Sequence, residues 1–126
     1  MIKQILLLCS LLGTTIIYGD EDFISHYEYG EMLYNNPRGV SCSQCHGVSG
    51  EGKKIVEFRD IHGKQAIQGP DIRKESLTRM INSINSYHEI MPRYYLTNEE
   101  VKTIYDYLQE KNRAYLSNLE DTNSTQ

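Results

Sequence analysis

The stretch SCSQCHG, residues 41–47, constrains this chain more than any other, because Cys42, Cys45 and His46 can all bind a metal or a cofactor. The chain has 126 residues, which is enough for one small domain. It has no Trp and only two Phe, so its apolar core would be thin for a domain of this size. A bound cofactor at the centre would complete that core.

The first residues have the layout of a secretory signal peptide. A basic Lys3 precedes an uncharged apolar run over residues 5–17, and an acidic stretch begins at Asp20. The run is shorter than the roughly 20 residues that cross a bilayer. We therefore predict that residues 1–19 are a signal peptide removed after Gly19, the alternative being an uncleaved N-terminal anchor.

The charge of the chain argues against one class of partner. The formal net charge is -4, and removal of Lys3 with the leader makes it -5. An acidic chain without a long basic stripe gives no reason to expect a nucleic-acid-binding protein.

The periodicity of the apolar residues predicts a mostly helical domain. Helical spacing occurs in three stretches, residues 22–36, 75–86 and 98–113. The third stretch follows a capping box, in which Thr97 is the N-cap and Glu100 stands three residues later. Residues 53–67 contain two short apolar runs around His62-Gly63 and indicate a small β-hairpin.

Four kinds of site use closely spaced cysteines. A structural zinc site needs four ligands, and the sequence has no second C-x-x-C. A thioredoxin-like redox pair belongs to a fold with βαβ units, which this chain does not indicate. A disulfide across two residues closes a very small loop and stabilises little. The fourth site is a covalently attached haem, for which C-x-x-C-H is the sequence signature.

The spacing of the segment agrees with haem attachment. Each thiol would add across a haem vinyl group and become a thioether. Ser43 and Gln44 turn the chain once, so that the sulfurs of Cys42 and Cys45 reach the same edge of the porphyrin. His46 follows at once and comes under the iron. We therefore predict one haem c, and its attachment outside the cytoplasm agrees with the leader.

The sixth iron ligand has to come from elsewhere in the chain. The available side chains are Met32, Met80, Met91, His26, His62 and His88. Met32 and Met80 lie on predicted helices, where packing in the core is the expected role. Met91 precedes Pro92, which prevents a helix there and stiffens the loop. A thioether ligand raises the potential of haem iron, as suits electron transfer, and His88 is the rival ligand.

Three segments, CSQCHGVSGEGK, GPDI and IMPRYYLTNEEVKTIYDYL, resemble class I cytochrome c, the small monohaem cytochromes of bacterial periplasms. The resemblance covers roughly residues 28–110 and implies a fold of three to four helices around one haem. It implies thioethers at Cys42 and Cys45, His46 as the proximal ligand and Met91 as the distal ligand.

The resemblance also assigns residues around the haem. The backbone carbonyl of Pro70 would accept the other ring N–H of His46, although Pro70 follows His46 by 24 positions because residues 53–67 look inserted. Two helices would cross at paired residues, Gly30 with Tyr34 and Ile104 with Tyr107. Candidates for holding the haem propionates are Arg59, Arg93, Tyr94 and Tyr95.

These inferences predict a signal peptide over residues 1–19, a cytochrome c domain over 20–116 and a flexible polar tail over 117–126. The expected protein is a periplasmic one-electron carrier between respiratory redox proteins, and not an enzyme. It would be a monomer that meets its partners transiently, without a membrane span after the leader is removed. The alternatives are a haem protein with a labile sixth ligand, acting as peroxidase or sensor of small ligands, and a small cytochrome subunit of an oxidase or dehydrogenase complex.

Overall fold

The described part of the fold is mostly helical and carries one small antiparallel sheet. The computed structural model describes residues 23–123, with side chains as far as residue 120, so the predicted signal peptide lies outside it. The elements in chain order are α1 (His26–Asn35), α2 (Cys42–His46), β1 (Lys53–Asp60), β2 (Gly63–Gly69), α3 (Leu77–Asn85), α4 (Asn98–Lys111) and α5 (Arg113–Asn123). Within these residues, no helix combines the length and apolar character that crossing a bilayer requires.

Helix α1 begins later than its apolar spacing predicts. Ser25 caps it, since its hydroxyl accepts the N–H of Glu28 at 3.2 Å and the Glu28 carboxylate accepts the N–H of Ser25 at 2.9 Å. This reciprocal capping box satisfies two backbone donors and fixes the start of the helix at His26. The spacing over residues 22–36 includes Phe23 and Ile24 in the helix, but both precede it and are exposed.

The crossing of α1 and α4 forms the centre of the core. The α-carbon of Gly30 lies so close to α4 that an added Cβ would be 2.6 Å from both the Thr103 carbonyl oxygen and the Tyr107 Cβ. Tyr107 also packs against Tyr34, with 5.8 Å between their ring centroids. Both rings are buried, as is Ile104. The expected crossing is therefore present, and the glycine is what lets the two helices approach.

Strands β1 and β2 form the hairpin that the sequence indicates near residues 53–67. The antiparallel register pairs Lys53 with Gly69 and Asp60 with Gly63, with an irregularity between Lys54 and Val56. The insertion is thus a folded element.

The C-terminal segment differs from the expected polar tail. Helix α4 ends at Lys111, where the Asn112 side chain donates to the Leu108 carbonyl at 2.8 Å. The chain then re-enters a helix, α5, which extends to Asn123. The Arg73 guanidinium stacks 3.8 Å from the centroid of the Tyr115 ring and holds the start of this helix against the domain. The helix thus continues past this contact into the first residues of the predicted tail, 117–126.

Helix α4 begins at the predicted capping box, and Arg38 reinforces it from another part of the chain. Thr97 accepts the N–H of Glu100 at 3.2 Å, and the Glu100 carboxylate accepts the N–H of Thr97 at 2.8 Å. Both terminal nitrogens of Arg38 bind the same carboxylate, at 2.7 and 2.9 Å. This bidentate bond, followed by the backbone bond from Thr97, lowers the pKa of Glu100 from 4.5 to about 2.

Replacing Arg38 with Ala is expected to destabilise the protein at pH 7, and the loss should shrink in acid. Because the pKa of folded Glu100 is depressed, its pairing stabilises the fold fully above pH 4.5 and ceases to do so as the pH falls toward about 2. Urea unfolding of wild type and Arg38→Ala at a series of pH values measures the difference. Arg38 has a left-handed φ of 60°, and Ala is subject to the same backbone strain, so strain cancels in the comparison. A difference that stays constant from pH 7 to pH 2.5 would contradict this role for the ion pair.

Candidate functional site

All five residues predicted for the site line one cavity of about 560 Å³: Cys42, Cys45, His46, Pro70 and Met91. Other parts of the wall are apolar side chains from the hairpin (Ile55 and Ile67), from the loop after it (Ile72) and from helices α1, α3 and α4 (Tyr34, Met80, Ile84 and Ile104). A concave apolar cavity with a few convergent polar groups is the usual form of a cofactor site. The donor set of two thiols, an imidazole and a thioether fits a covalently bound haem.

Of the six side chains considered as the sixth iron ligand, three line the cavity and three do not. Met80, Met91 and His88 line the cavity. The imidazole of His26 instead lies 3.0 Å from the Asp106 carboxylate, and His62 is in the hairpin turn. Met32 is 50 % exposed, so its expected place in the core is wrong.

The Cys42 thiol lacks the lowered pKa of a redox-active cysteine. Cys42 and Cys45 are both free in the structure and lie on the short helix α2. Burial raises the pKa of the Cys42 thiol to about 11, whereas a reactive C-x-x-C pair has a thiol pKa below its ordinary value. The described residues contain no group of three or more His, Cys, Asp or Glu side chains arranged to hold a metal ion.

Tyrosine hydroxyls hold the segment around α2. The buried Tyr34 hydroxyl donates to the Gly47 carbonyl at 2.7 Å, directly after His46. The Tyr94 hydroxyl donates to the Val40 carbonyl, also at 2.7 Å, directly before Ser41. Burial raises the pKa of both tyrosines, that of Tyr94 to about 12, so both remain donors at neutral pH. The segment is thus fixed at each end by contacts that its own sequence does not indicate.

His46 is oriented by the carbonyl of Pro70. Its Nδ1 lies 2.9 Å from the Pro70 oxygen, and because a carbonyl only accepts, Nδ1 carries the proton in this bond. The lone pair is then on Nε2, the nitrogen available to a metal. A partner on the other ring nitrogen fixes the orientation of a histidine ligand and increases its basicity.

The insertion does not displace Pro70, because the chain enters and leaves the hairpin at one place. The N–H of Gly52 donates to the His46 carbonyl at 2.7 Å, and the N–H of Ile72 donates to the Gly50 carbonyl at 2.8 Å. Gly69 ends β2 directly against the carbonyl of Cys45. The 23 residues between His46 and Pro70 therefore include a closed hairpin that returns the chain beside the histidine.

One face of the hairpin extends the cavity wall. Ile55 and Ile67 line the cavity, while Glu57 on the opposite face pairs with Lys54 at 2.6 Å and Lys64 at 3.1 Å. Lys54 and Glu57 are three apart and would lie on opposite faces of a regular strand. They share a face because the irregularity at Ile55 shifts the alternation by one residue. The bulge thus separates a polar outer face from an apolar face directed at the site.

Most of the side chains proposed to hold the haem propionates do not line the cavity. Of Arg59, Arg93, Tyr94 and Tyr95, only Tyr94 lines the cavity. Among the described cavity-lining residues the single Lys or Arg is Arg79 on α3, which pairs with Glu75 at 3.1 Å. Arg79 occupies a position on the polar side of a predicted helix, and the sequence carries no signal for its place at the cavity.

Comparison with protein families matches residues 27–111 to the family described as Cytochrome c. The match begins in α1, ends with α4 and includes the hairpin. Comparisons with curated proteins and with solved structures gave no match. In the matched family haem c is attached covalently, and Cys42 and Cys45 stand in the corresponding C-x-x-C-H motif. This chain belongs to the cytochrome c family, as a class I c-type cytochrome that binds haem c and takes part in electron transfer.

Proposed function

We propose that this protein carries single electrons through one haem c, held by thioethers at Cys42 and Cys45, with His46 and Met91 as the axial ligands. The observation that carries the proposal is the convergence of these four side chains on one apolar cavity, together with the orientation of His46 by Pro70. Bound haem c supplies a one-electron redox couple, and the protein sets its potential through ligands and burial.

The chain's own groups account for a carrier better than for an enzyme. The Pro70 carbonyl directs Nε2 of His46 into the site, and Met91 supplies a soft thioether from a loop that Pro92 stiffens. With His46 and Met91 both bound to the iron, haem c would have no ligand position left for a substrate. Ile55 and Ile67 of the hairpin exclude water from one side of the cavity, which favours the reduced state.

Arg79 is the side chain we assign to the haem propionates. It is the one Lys or Arg among the described residues that line the cavity, and its partner Glu75 lines the cavity too. Guanidinium binds carboxylates in a planar, bidentate manner, so Arg79 can exchange Glu75 for a propionate. The Tyr94 hydroxyl donates its hydrogen bond to the Val40 carbonyl, so we assign it to the support of α2 and not to a propionate.

The location and partners follow from the attachment chemistry. We propose that residues 1–19 direct export and that the protein acts in the periplasm, where haem is attached and where redox proteins serve as donor and acceptor. The layout of the leader in the sequence supports this. Residues 20–116 would form the working domain, which we expect to be monomeric and to meet its partners transiently.

The test uses holoprotein produced with a haem-attachment system. An alkaline pyridine spectrum and the intact mass should show one haem added covalently to residues 20–126. The ferric wild-type protein should show a sulfur-to-iron charge-transfer band, which Met91→Ala removes. Met80→Leu is the matched control, because Met80 also lines the cavity, and it should keep the band. Absence of the band from wild type, or rapid binding of carbon monoxide by the ferrous wild type, would contradict ligation by Met91.

A further inference from the structure

His88 lies in the same loop as Met91 and lines the same cavity. Of the histidines other than His46, it alone among the described residues reaches this cavity, since His26 and His62 do not contribute to its wall. It precedes Met91 by three positions, so the two side chains are presented by one short segment. Nothing in the ligation by His46 and Met91 uses it.

The His88 ring is held at the end of α3. Its Nε2 lies 2.8 Å from the Ser83 carbonyl oxygen and 3.3 Å from the Ser83 hydroxyl oxygen. Because the carbonyl only accepts, Nε2 carries the proton in the shorter contact, and the lone pair of the neutral ring is on Nδ1. The ring thus presents a nitrogen able to bind a metal without first losing a proton.

The part of the loop that carries His88, residues 86–90, is weakly constrained, whereas the part after Met91 is held by Pro92 and by the buried Tyr94 and Leu96. Between the end of α3 at Asn85 and the start of α4 at Asn98 the described backbone contains neither helix nor strand. Tyr87 and Ile90, on either side of His88, are 87 % and 58 % exposed. Segments with few buried apolar contacts rearrange at low free-energy cost. A rearrangement of this segment would turn His88, in place of Met91, toward the proximal His46.

We propose that His88 is a reserve axial ligand that binds the haem iron when the thioether of Met91 leaves it. This inference rests on the proposed ligation by Met91. In the exchange the bond from sulfur to iron breaks, an imidazole nitrogen lone pair forms the new bond, and no electron is gained or lost. Imidazole is a good ligand for iron, and replacing a thioether by it lowers the reduction potential. With His88 bound, the iron would have no position open to a small ligand, and peroxidase-like chemistry requires such an open position.

The experiment compares ferric and ferrous holoproteins of four variants by absorption and electron paramagnetic resonance spectroscopy. Met91→Ala should remain low-spin without a sulfur-to-iron band, because His88 replaces the thioether. Met91→Ala/His88→Ala should become high-spin. Met91→Ala/His62→Ala is the matched control and should remain low-spin, since His62 is in the hairpin turn. His88→Ala alone should keep the sulfur-to-iron band.

Carbon monoxide binding gives a second readout. If His88 occupies the iron nine-tenths of the time in ferrous Met91→Ala, its removal should increase the apparent affinity for carbon monoxide by about tenfold or more. A high-spin Met91→Ala single variant, or a low-spin Met91→Ala/His88→Ala double variant, would overturn the reserve-ligand role while leaving ligation by Met91 intact. Loss of the low-spin state in His88→Ala alone would instead show that His88 is the resident ligand and would overturn the assignment of Met91.

Discussion

Replacing Gly69 with Ala is expected to prevent the folded holoprotein from accumulating. A Cβ at this position would be 1.8 Å from the carbonyl oxygen of Cys45 and 2.5 Å from its carbonyl carbon. Both are backbone atoms of the haem-attachment helix, so no side-chain rotation can relieve the overlap. We expect a loss of about 4 kcal/mol or more, which approaches the whole stability of a marginal small domain. Displacement of β2 would also move Pro70 away from His46.

The measurement is the yield of covalently attached haem per folded protein, followed by the thermal unfolding midpoint of whatever protein accumulates. Gly39→Ala is the matched control, because a Cβ there would meet the Tyr94 ring at 3.6 Å, an ordinary contact distance. This control should be produced with nearly normal haem content. Normal yield and midpoint for Gly69→Ala would show that β2 does not lie against Cys45 as described.

Replacing Gly30 with Ala should give the second largest effect, a loss of about 2 kcal/mol in the free energy of unfolding. The added Cβ would be 2.6 Å from the Thr103 carbonyl oxygen and from the Tyr107 Cβ, so α1 and α4 would have to separate. The substitution works against helix propensity, which favours Ala over Gly by about 1 kcal/mol. A net loss therefore reports the tightness of the crossing and not the intrinsic preference of the residue.

Urea unfolding of the holoprotein measures this change. Glu31→Ala is the control, because Glu31 is exposed on the same helix and its replacement should change stability little. If Gly30→Ala were as stable as wild type or more stable, the close approach of α1 and α4 would be refuted.

The parts of the site that could be predicted from sequence are those encoded in short segments. C-x-x-C-H defines the attachment residues within five positions, and the capping box at Thr97 defines the start of α4 within four. For Met91 the neighbouring Pro92 gives a local argument, and the resemblance to a family favours it over its rival. Pro70 needed the resemblance alone, because nothing local shows that its carbonyl will face His46. The structure brings both to the cavity with His46.

What could not be predicted depends on contacts between distant segments. The roles of Tyr34 and Tyr94 as donors to backbone carbonyls beside the C-x-x-C-H segment have no signature in their own neighbourhood. The bulge at Ile55, which shifts the alternation of side chains in the hairpin and directs its apolar face at the cavity, also has no signature in the sequence. Helix α5 was missed because its stabilising contact, between Tyr115 and Arg73, joins segments about forty residues apart along the chain.

The closed neck of the hairpin gives this cytochrome a part that evolution or design can change independently of the iron. Gly52 and Gly69 lie across the neck, where a Cβ on Gly52 would be 2.9 Å from the Gly69 carbonyl oxygen. The two ends of the hairpin are already held together at this neck. The loop-closure entropy of a longer or shorter hairpin therefore depends on the distance across the neck and not on the positions of the haem ligands. The tip of the hairpin, residues 57–65, lies beyond the cavity-lining Ile55 and Ile67, so a change of its length or sequence would leave the cavity wall and the iron ligands in place.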